Sequence, residues 1–371
     1  MTSPPRVTML VNGGMDSPTG HRAQTLAARL QPSYQIEIAY RSSKRARSIA
    51  TFFSVLRHQR PAIVYVFDLG ISGISAALAY RAATGCPLVV DTGDAFAAIL
   101  QATGRLGRLG YEWAKRYEQA VLRGADHVVV RGTLLRELAL RAGAKGVTFV
   151  PDGVDVHHYR PLDARALRVS LGAERRFTVG VLGNLHWDAR RQWCYGVELI
   201  EALSRLQATP LIGLVIGNGS GLPRLQQLAR ERGIVDGVRF LGYKPHTSLP
   251  QYINAMDVCL STQTNDIVGQ VRTTAKLPVY LACGRFVLAS RVGEAARILP
   301  EEMLVEYVGS FDPMYPSRLA ERIEQILKEP ELLALGQRGR VIAEAEFDYG
   351  ILVPRVATVL RSVLDTTALR W

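Results

Sequence analysis

Short glycine-bearing turns stand directly after apolar runs at several places in this chain, and turns of that kind can do chemistry with phosphate. Asn12-Gly13-Gly14 follows the run Val7–Val11. Without Cβ atoms, Gly13 and Gly14 let main-chain amides approach a phosphate or a sugar, and a helix starting beyond them adds its positive end. Any tight strand-to-helix turn can use such a pair, so a purely structural role stays open. The spaced three-glycine fingerprint of dinucleotide binding is missing, which counts against NAD. Three later blocks repeat the pairing of apolar run and turn: Val150 to Asp155, Val215 to Gly221 with Gly217-Asn218-Gly219 at its centre, and Lys276 to Arg285. Asp91-Thr92-Gly93-Asp94 closes another run. A carboxylate at the C-terminal end of a strand is placed to orient hydroxyls, and Asp94, further into the loop, is favoured over Asp91. Asp94 can equally cap the helix that follows. His21 opens the first helix with Arg22, and His186 stands in a loop; lone histidines are more often surface or capping residues. No aspartate pair stands in a divalent-metal arrangement. Cys86, Cys194, Cys259 and Cys283 are scattered among apolar residues, without metal or redox spacing.

These residues need a frame, and the hydrophobic pattern supplies one. Nearly continuous apolar runs at Val7–Val11, Ile36–Ala39, Ile63–Phe67, Leu88–Asp91, Val128–Val130 and Thr148–Pro151 alternate with helical patterns. Such runs predict parallel strands covered on both faces. The pattern restarts with Phe177–Leu182 and continues through Leu211–Ile216, Val238–Leu241, Asp257–Ser261, Phe286–Ser290 and Met303–Val308. Segment 155–172 carries no apolar strand and reads as a hinge. The expected domains are 1–165 and 166–346, with a C-terminal helix over about 347–371 packing back on the first. Ligands of doubly wound sheets bind at the carboxyl ends of the strands, so two such domains predict a central cleft between facing sheets.

The chain has 371 residues, 48% of them hydrophobic, enough for two ordinary cores. No stretch reaches the length of a membrane-spanning helix, and the first residues lack a signal-peptide pattern, so the expected location is the cytosol. The net charge is +12, with the excess in the first half and a concentration from Arg41 to Arg60. A positive face attracts phosphates or an anionic membrane. Within it Ile49, Phe52, Phe53 and Leu56 share one helix face, which can pack on the sheet while the surrounding arginines meet lipid headgroups. Nucleic acid is disfavoured, because aromatic residues do not interleave with the charges.

In their order and spacing the blocks resemble the retaining glycosyltransferases of family 4, which have the GT-B fold of two Rossmann-like domains. The resemblance rests on Pro151 to Asp155, Gly217-Asn218-Gly219, Phe240-Leu241-Gly242, the pairs Ala125-Asp126 and Met256-Asp257, and Lys276 to Gly284. It covers roughly residues 6 to 345. It implies a nucleoside diphosphate sugar as donor, of UDP or GDP type, with no further cofactor and no metal. It implies a polysaccharide or lipid-linked saccharide acceptor, and a peripheral place on the inner face of the plasma membrane.

Residue by residue, the resemblance implies a pyrophosphate clamp in the loop Gly183 to Arg191, with Asn184, Arg190 and above all Arg191. It places Lys276 as the second basic contact, Arg272 as its helper, and Thr273 and Thr274 as further donors. It implies that Gly13, Gly14, Gly217 and Asn218 line the donor site, and that Asp91, Asp94 and His21 face the sugar or acceptor. Asp94, Arg191 and Lys276 are then the expected catalytic residues. The chain departs from the family at Val271 and Val279, where many relatives carry acidic residues and the second binds the donor ribose. Valine accepts no hydrogen bond, so Asp266 or the main chain near Tyr280 become candidates. Two rivals stay open: a catalytically silent binding or scaffolding subunit, and a sugar-nucleotide epimerase.

Overall fold

The computed structural model describes residues 3–368 apart from 32, 43, 105, 207 and 208. The chain divides into two compact α/β units. The first comprises Met1–Asp152, Val271–Thr273 and Gly350–Trp371; the second comprises Gly153–Gln270 and Thr274–Tyr349.

In the first unit six strands form one parallel sheet: β1 (Arg6–Val11), β2 (Gln35–Tyr40), β3 (Ile63–Phe67), β4 (Leu88–Thr92), β5 (His127–Val130) and β6 (Val147–Phe149), in the order β2-β1-β3-β4-β5-β6. β3 and β4 are buried along their whole length, which is why they read as unbroken apolar runs rather than alternating ones. The helix Arg45–Gln59 turns Phe52 and Leu56 fully inward. Its apolar face therefore belongs to the core, while Arg47 and Arg57 are exposed.

The second unit repeats the plan with β7 (Phe177–Leu182), β8 (Leu211–Ile216), β9 (Val238–Gly242), β10 (Val258–Ser261), β11 (Phe286–Ser290) and β12 (Leu304–Val305). All pairings are parallel, in the order β12-β11-β10-β7-β8-β9. β12 is shorter than the expected Met303–Val308, because Asp312 captures the chain beyond it: its carboxylate accepts from the Val308 and Met314 amides at 2.6 and 3.0 Å. Residues 153–165 fall with the second unit, not the first. Val154, Val156 and Tyr159 are buried in its core, and Val154 bridges to Asp348. The expected hinge also holds a short helix, Arg165–Ser170. The final helix runs Tyr349–Ala368, and from Gly350 onward it counts with the first unit. The last three residues of the expected span lie outside the described ones.

In each sheet the first strand lies between strands reached in opposite directions, β1 between β2 and β3, and β7 between β10 and β8. The carboxyl ends at these switch points are where doubly wound folds bind ligands.

Candidate functional site

At the switch point of the second sheet the chain leaves β7 through Gly183-Asn184-Leu185 and leaves β8 through Gly217-Asn218-Gly219. The two turns are stitched together by main-chain bonds: Gly183 N–H to Ile216 O at 3.0 Å, Leu185 N–H to Asn218 O at 3.0 Å, and Gly221 N–H to Leu185 O at 2.8 Å. Gly217 has φ +138°, and a Cβ there would lie 1.9 Å from the Gly183 carbonyl oxygen. Only glycine lets the turns approach so closely. Tyr280, fully buried, braces the end of β7 by accepting from the Leu182 amide at 2.7 Å. That hydroxyl is committed to the scaffold.

Over these turns lies Lys276, the first residue of the helix Lys276–Ala282. Its side chain reaches Gly183, where an added Cβ would sit 3.2 Å from Nζ and 3.2 Å from the Tyr195 ring. Nζ stands 3.2 Å from the centroid of that ring. Lys276 is 8% exposed, and its Nζ makes no hydrogen bond. Burial pulls its pKa down to about 7, against the pull of Glu198 in the other direction. Glu198 is buried as well and accepts from Trp193 Nε1. Burial raises its pKa to about 7, opposed by its own amide, Trp193 and Lys276. An amine and a carboxyl group are thus held out of water together, and below about pH 7 the amine carries its charge with its donors unspent. Such a group can bind an anion with no partner to displace.

The other expected donor contacts are placed differently. Arg190 is exposed and Asn184 is exposed. Arg191 lies half-buried between two carboxylates, 3.6 Å from Asp188 and 3.4 Å from Asp266. Asp266 also receives Thr264 Oγ1 and the Gly269 amide, both at 3.0 Å. Its oxygens are engaged, which weakens it as a ribose acceptor. Thr274 Oγ1 lies 3.2 Å from Ser261 Oγ at the end of β10. Asn218 turns its side-chain oxygen onto the Gly219 amide at 2.8 Å. Val271 is fully buried and Val279 packs on the core, so neither position offers a polar group.

At the carboxyl end of the first sheet a charge network is closed on itself. Asp91 has no exposed surface: it accepts from Arg22 Nε at 3.0 Å, Arg131 Nε at 3.2 Å and the Tyr65 hydroxyl at 2.9 Å. It therefore cannot face a sugar or an acceptor as expected; it holds two arginines. Arg22 also donates to the Val150 and Pro151 carbonyls, both at 2.8 Å, tying the end of β6 to the first helix. Arg131 pairs with Asp68, which adopts φ +61° to reach it. Burial lowers the Arg131 pKa, but Asp68, Asp152, Asp91 and Asp94 outweigh it and raise the net value. Asn12 spans the switch point, donating to the Phe67 and Asp68 carbonyls at 3.0 and 3.1 Å and accepting from the Gly73 amide at 2.9 Å. Gly13 is needed beside Ser17, whose Oγ lies 2.4 Å from where its Cβ would be. Gly14 offers its carbonyl to Ser17 Oγ at 2.6 Å. His21 is partly buried on the first helix.

Asp94 pairs with Arg272, whose segment counts with this unit. Arg272 is thus on a carboxylate. Asp94 does not cap a helix: the Phe96 and Ala97 amides are capped by Glu118, at 2.8 and 3.2 Å. Glu198, Tyr195 and Glu118 were missed in sequence. Glu198 left a trace, since it shares its helix face with buried Ala202 one turn on.

Comparison with known proteins then adds an independent line. A family model described as glycosyl transferases group 1 matches residues 176–329, and one described as glycosyl transferase 4-like domain matches residues 6–153. A D-inositol 3-phosphate glycosyltransferase 2 of Catenulispora acidiphila is 31% identical over 238 residues, 61% of this chain and 53% of the relative. A D-inositol 3-phosphate glycosyltransferase of Thermobispora bispora is 29% identical over 67% of this chain and 58% of its own length. The matches thus span about half the length of these curated relatives. Among solved structures, sucrose-phosphate synthase from Thermosynechococcus elongatus has a TM-score of 0.80 at 18% identity, covering 98% of this chain and all of that one. Anabaena HepE in complex with UDP-glucose has a TM-score of 0.77 at 16% identity, covering 96% and 100%. The architecture is that of GT-B.

Proposed function

The chain belongs to the family 4 glycosyltransferases, and from that premise we propose that it moves a sugar from a nucleoside diphosphate sugar to a polysaccharide or lipid-linked acceptor, with retention. One observation carries the reading. The Lys276 ammonium is buried over the switch point of the second sheet with no hydrogen bond made, where a diphosphate would give it charge-assisted bonds. Structures of the similar Anabaena HepE with UDP and with UDP-glucose support a donor of the UDP type.

In this reading the close-packed turns at Gly183 and Gly217 bring main-chain groups against the diphosphate. Lys276 meets the negative charge that grows on the leaving group as the glycosidic bond breaks. A fixed cation in a dry site stabilises that charge more in the transition state than in the ground state. Arg191 is a weaker contact, since two carboxylates already hold it. Asp94, paired with Arg272 at the end of β4, is assigned to acceptor hydroxyls. The proposed setting is the cytosolic face of the plasma membrane; no helix among the described residues is long and apolar enough to cross a membrane.

Calorimetric titration with UDP, GDP and ADP tests the donor site. One nucleotide is expected to bind, with Lys276→Ala weakening binding about 100-fold and Arg191→Ala weakening it less than about tenfold. No binding by any nucleotide would remove the donor site. Val271 and Val279 favour a second reading, a chain that binds the nucleotide without turning it over. Release of nucleotide from a bound donor sugar in the presence of acceptor extracts separates the two.

A further inference from the structure

The most exposed large apolar residue described stands at the start of a helix. Leu109 is 87% exposed, and Trp113, one turn further along the helix Arg108–Gly124, is 52% exposed. The opposite side of this helix is anchored: Ala114, Val121 and Leu122 are buried, and Glu118 caps the neighbouring helix Phe96–Ala102. At 100° per residue, Leu109, Trp113, Arg116, Ala120 and Arg123 fall on one outward stripe. Arg108 and Lys115 flank it, and Glu112 is the one exposed carboxylate beside it. No ion pair among the described residues engages Arg108, Lys115 or Arg116. Trp113 is held in its outward pose by stacking on Tyr117, with centroids 5.4 Å apart and planes 12° apart, and Tyr117 packs on Phe96 at 5.2 Å.

A solvent-facing leucine and tryptophan set among unpaired cations are costly for a surface that meets only water. They match an anionic bilayer, where the indole sits at the headgroup level and the cations meet phosphates. We propose that the outward face of the helix Arg108–Gly124 is the membrane-docking surface of this protein, with Leu109 and Trp113 entering an anionic phospholipid interface. The helix Arg45–Gln59, which also carries three arginines, has Phe52 and Leu56 in the core, so it offers charge without an insertable apolar face. The inference goes beyond the donor site and stands apart from it.

The test uses the whole chain and vesicles of equal parts phosphatidylglycerol and phosphatidylcholine. Wild type is expected to co-sediment with them, to lose binding as salt rises, and to ignore pure phosphatidylcholine. Leu109→Asp and Trp113→Ser are expected to lower partitioning about tenfold each without changing the melting temperature. Arg57→Glu, on the other helix, is expected to leave it within about twofold. Bromine-labelled lipid is expected to quench wild-type fluorescence and to lose much of that effect in Trp113→Ser. Absence of binding to the mixed vesicles would overturn the inference. So would unchanged binding by both face variants, loss confined to Arg57→Glu, or a wild-type dimer that Trp113→Ser dissolves without any vesicle binding. A protein that titrates with nucleotide yet ignores vesicles overturns this inference alone.

Discussion

The carboxyl ends of the two sheets hold buried charge in opposite ways. In the first unit the buried charges answer one another: Asp91 serves Arg22, Arg131 and Tyr65, and Asp68 completes Arg131. In the second, Lys276 is as deeply buried but has only the Tyr195 ring and the nearby Glu198, with no hydrogen bond to its ammonium. A closed network rigidifies and specifies a fold; an open one costs stability that a ligand can return. The contrast separates scaffold from site where charge and burial alone would not.

The comparison is broken most forcefully at Asp91. Asp91→Ala leaves two buried guanidiniums uncompensated, and chemical denaturation should show a loss of roughly 3–5 kcal/mol. Lys276→Met should do the reverse in the free protein, leaving stability at pH 7 equal or higher by up to about 2 kcal/mol, because it removes a buried charge that makes no hydrogen bond. The sign also depends on pH. The folded protein holds the Lys276 proton more weakly than the unfolded chain does, so this residue's cost fades as pH rises from about 7 toward the ordinary lysine range. Wild-type stability should therefore gain on Lys276→Met over that interval. A flat difference would mean that Lys276 is not buried as described. Smallest is Glu118→Ala, expected to cost about 1 kcal/mol through the lost cap of the helix Phe96–Ala102. A loss from Asp94→Ala instead would return the cap to Asp94.

Much of the frame was legible. Ile63–Phe67, Phe177–Leu182, Leu211–Ile216 and Phe286–Ser290 were read with their observed bounds, because strands buried on both faces leave an unbroken apolar run. The helix Arg108–Gly124 was not read, although Ala114, Val121 and Leu122 keep a helical spacing on its buried side. A phosphate contact at Lys276 was expected from the sequence only by resemblance. Its surroundings were not, because Tyr195 and Glu198 come from a distant segment and meet it only in the folded sheet. Asp91 looked like a site residue for the same reason that it is a scaffold residue: the end of a strand is where either belongs, and only burial decides.

The central claim is that Lys276 is a buried cation held for a diphosphate. Its most direct test is the affinity of the best-binding nucleoside diphosphate between pH 6 and 9, for wild type and Lys276→Met. With the free pKa near 7, wild-type affinity should be level below that point and fall by up to about tenfold per unit above it, as the ammonium is lost. Lys276→Met should bind about 100-fold more weakly at pH 6, with no such fall. A wild-type profile that stays level through pH 9, or a Lys276→Met protein that binds as tightly as wild type, would contradict the account.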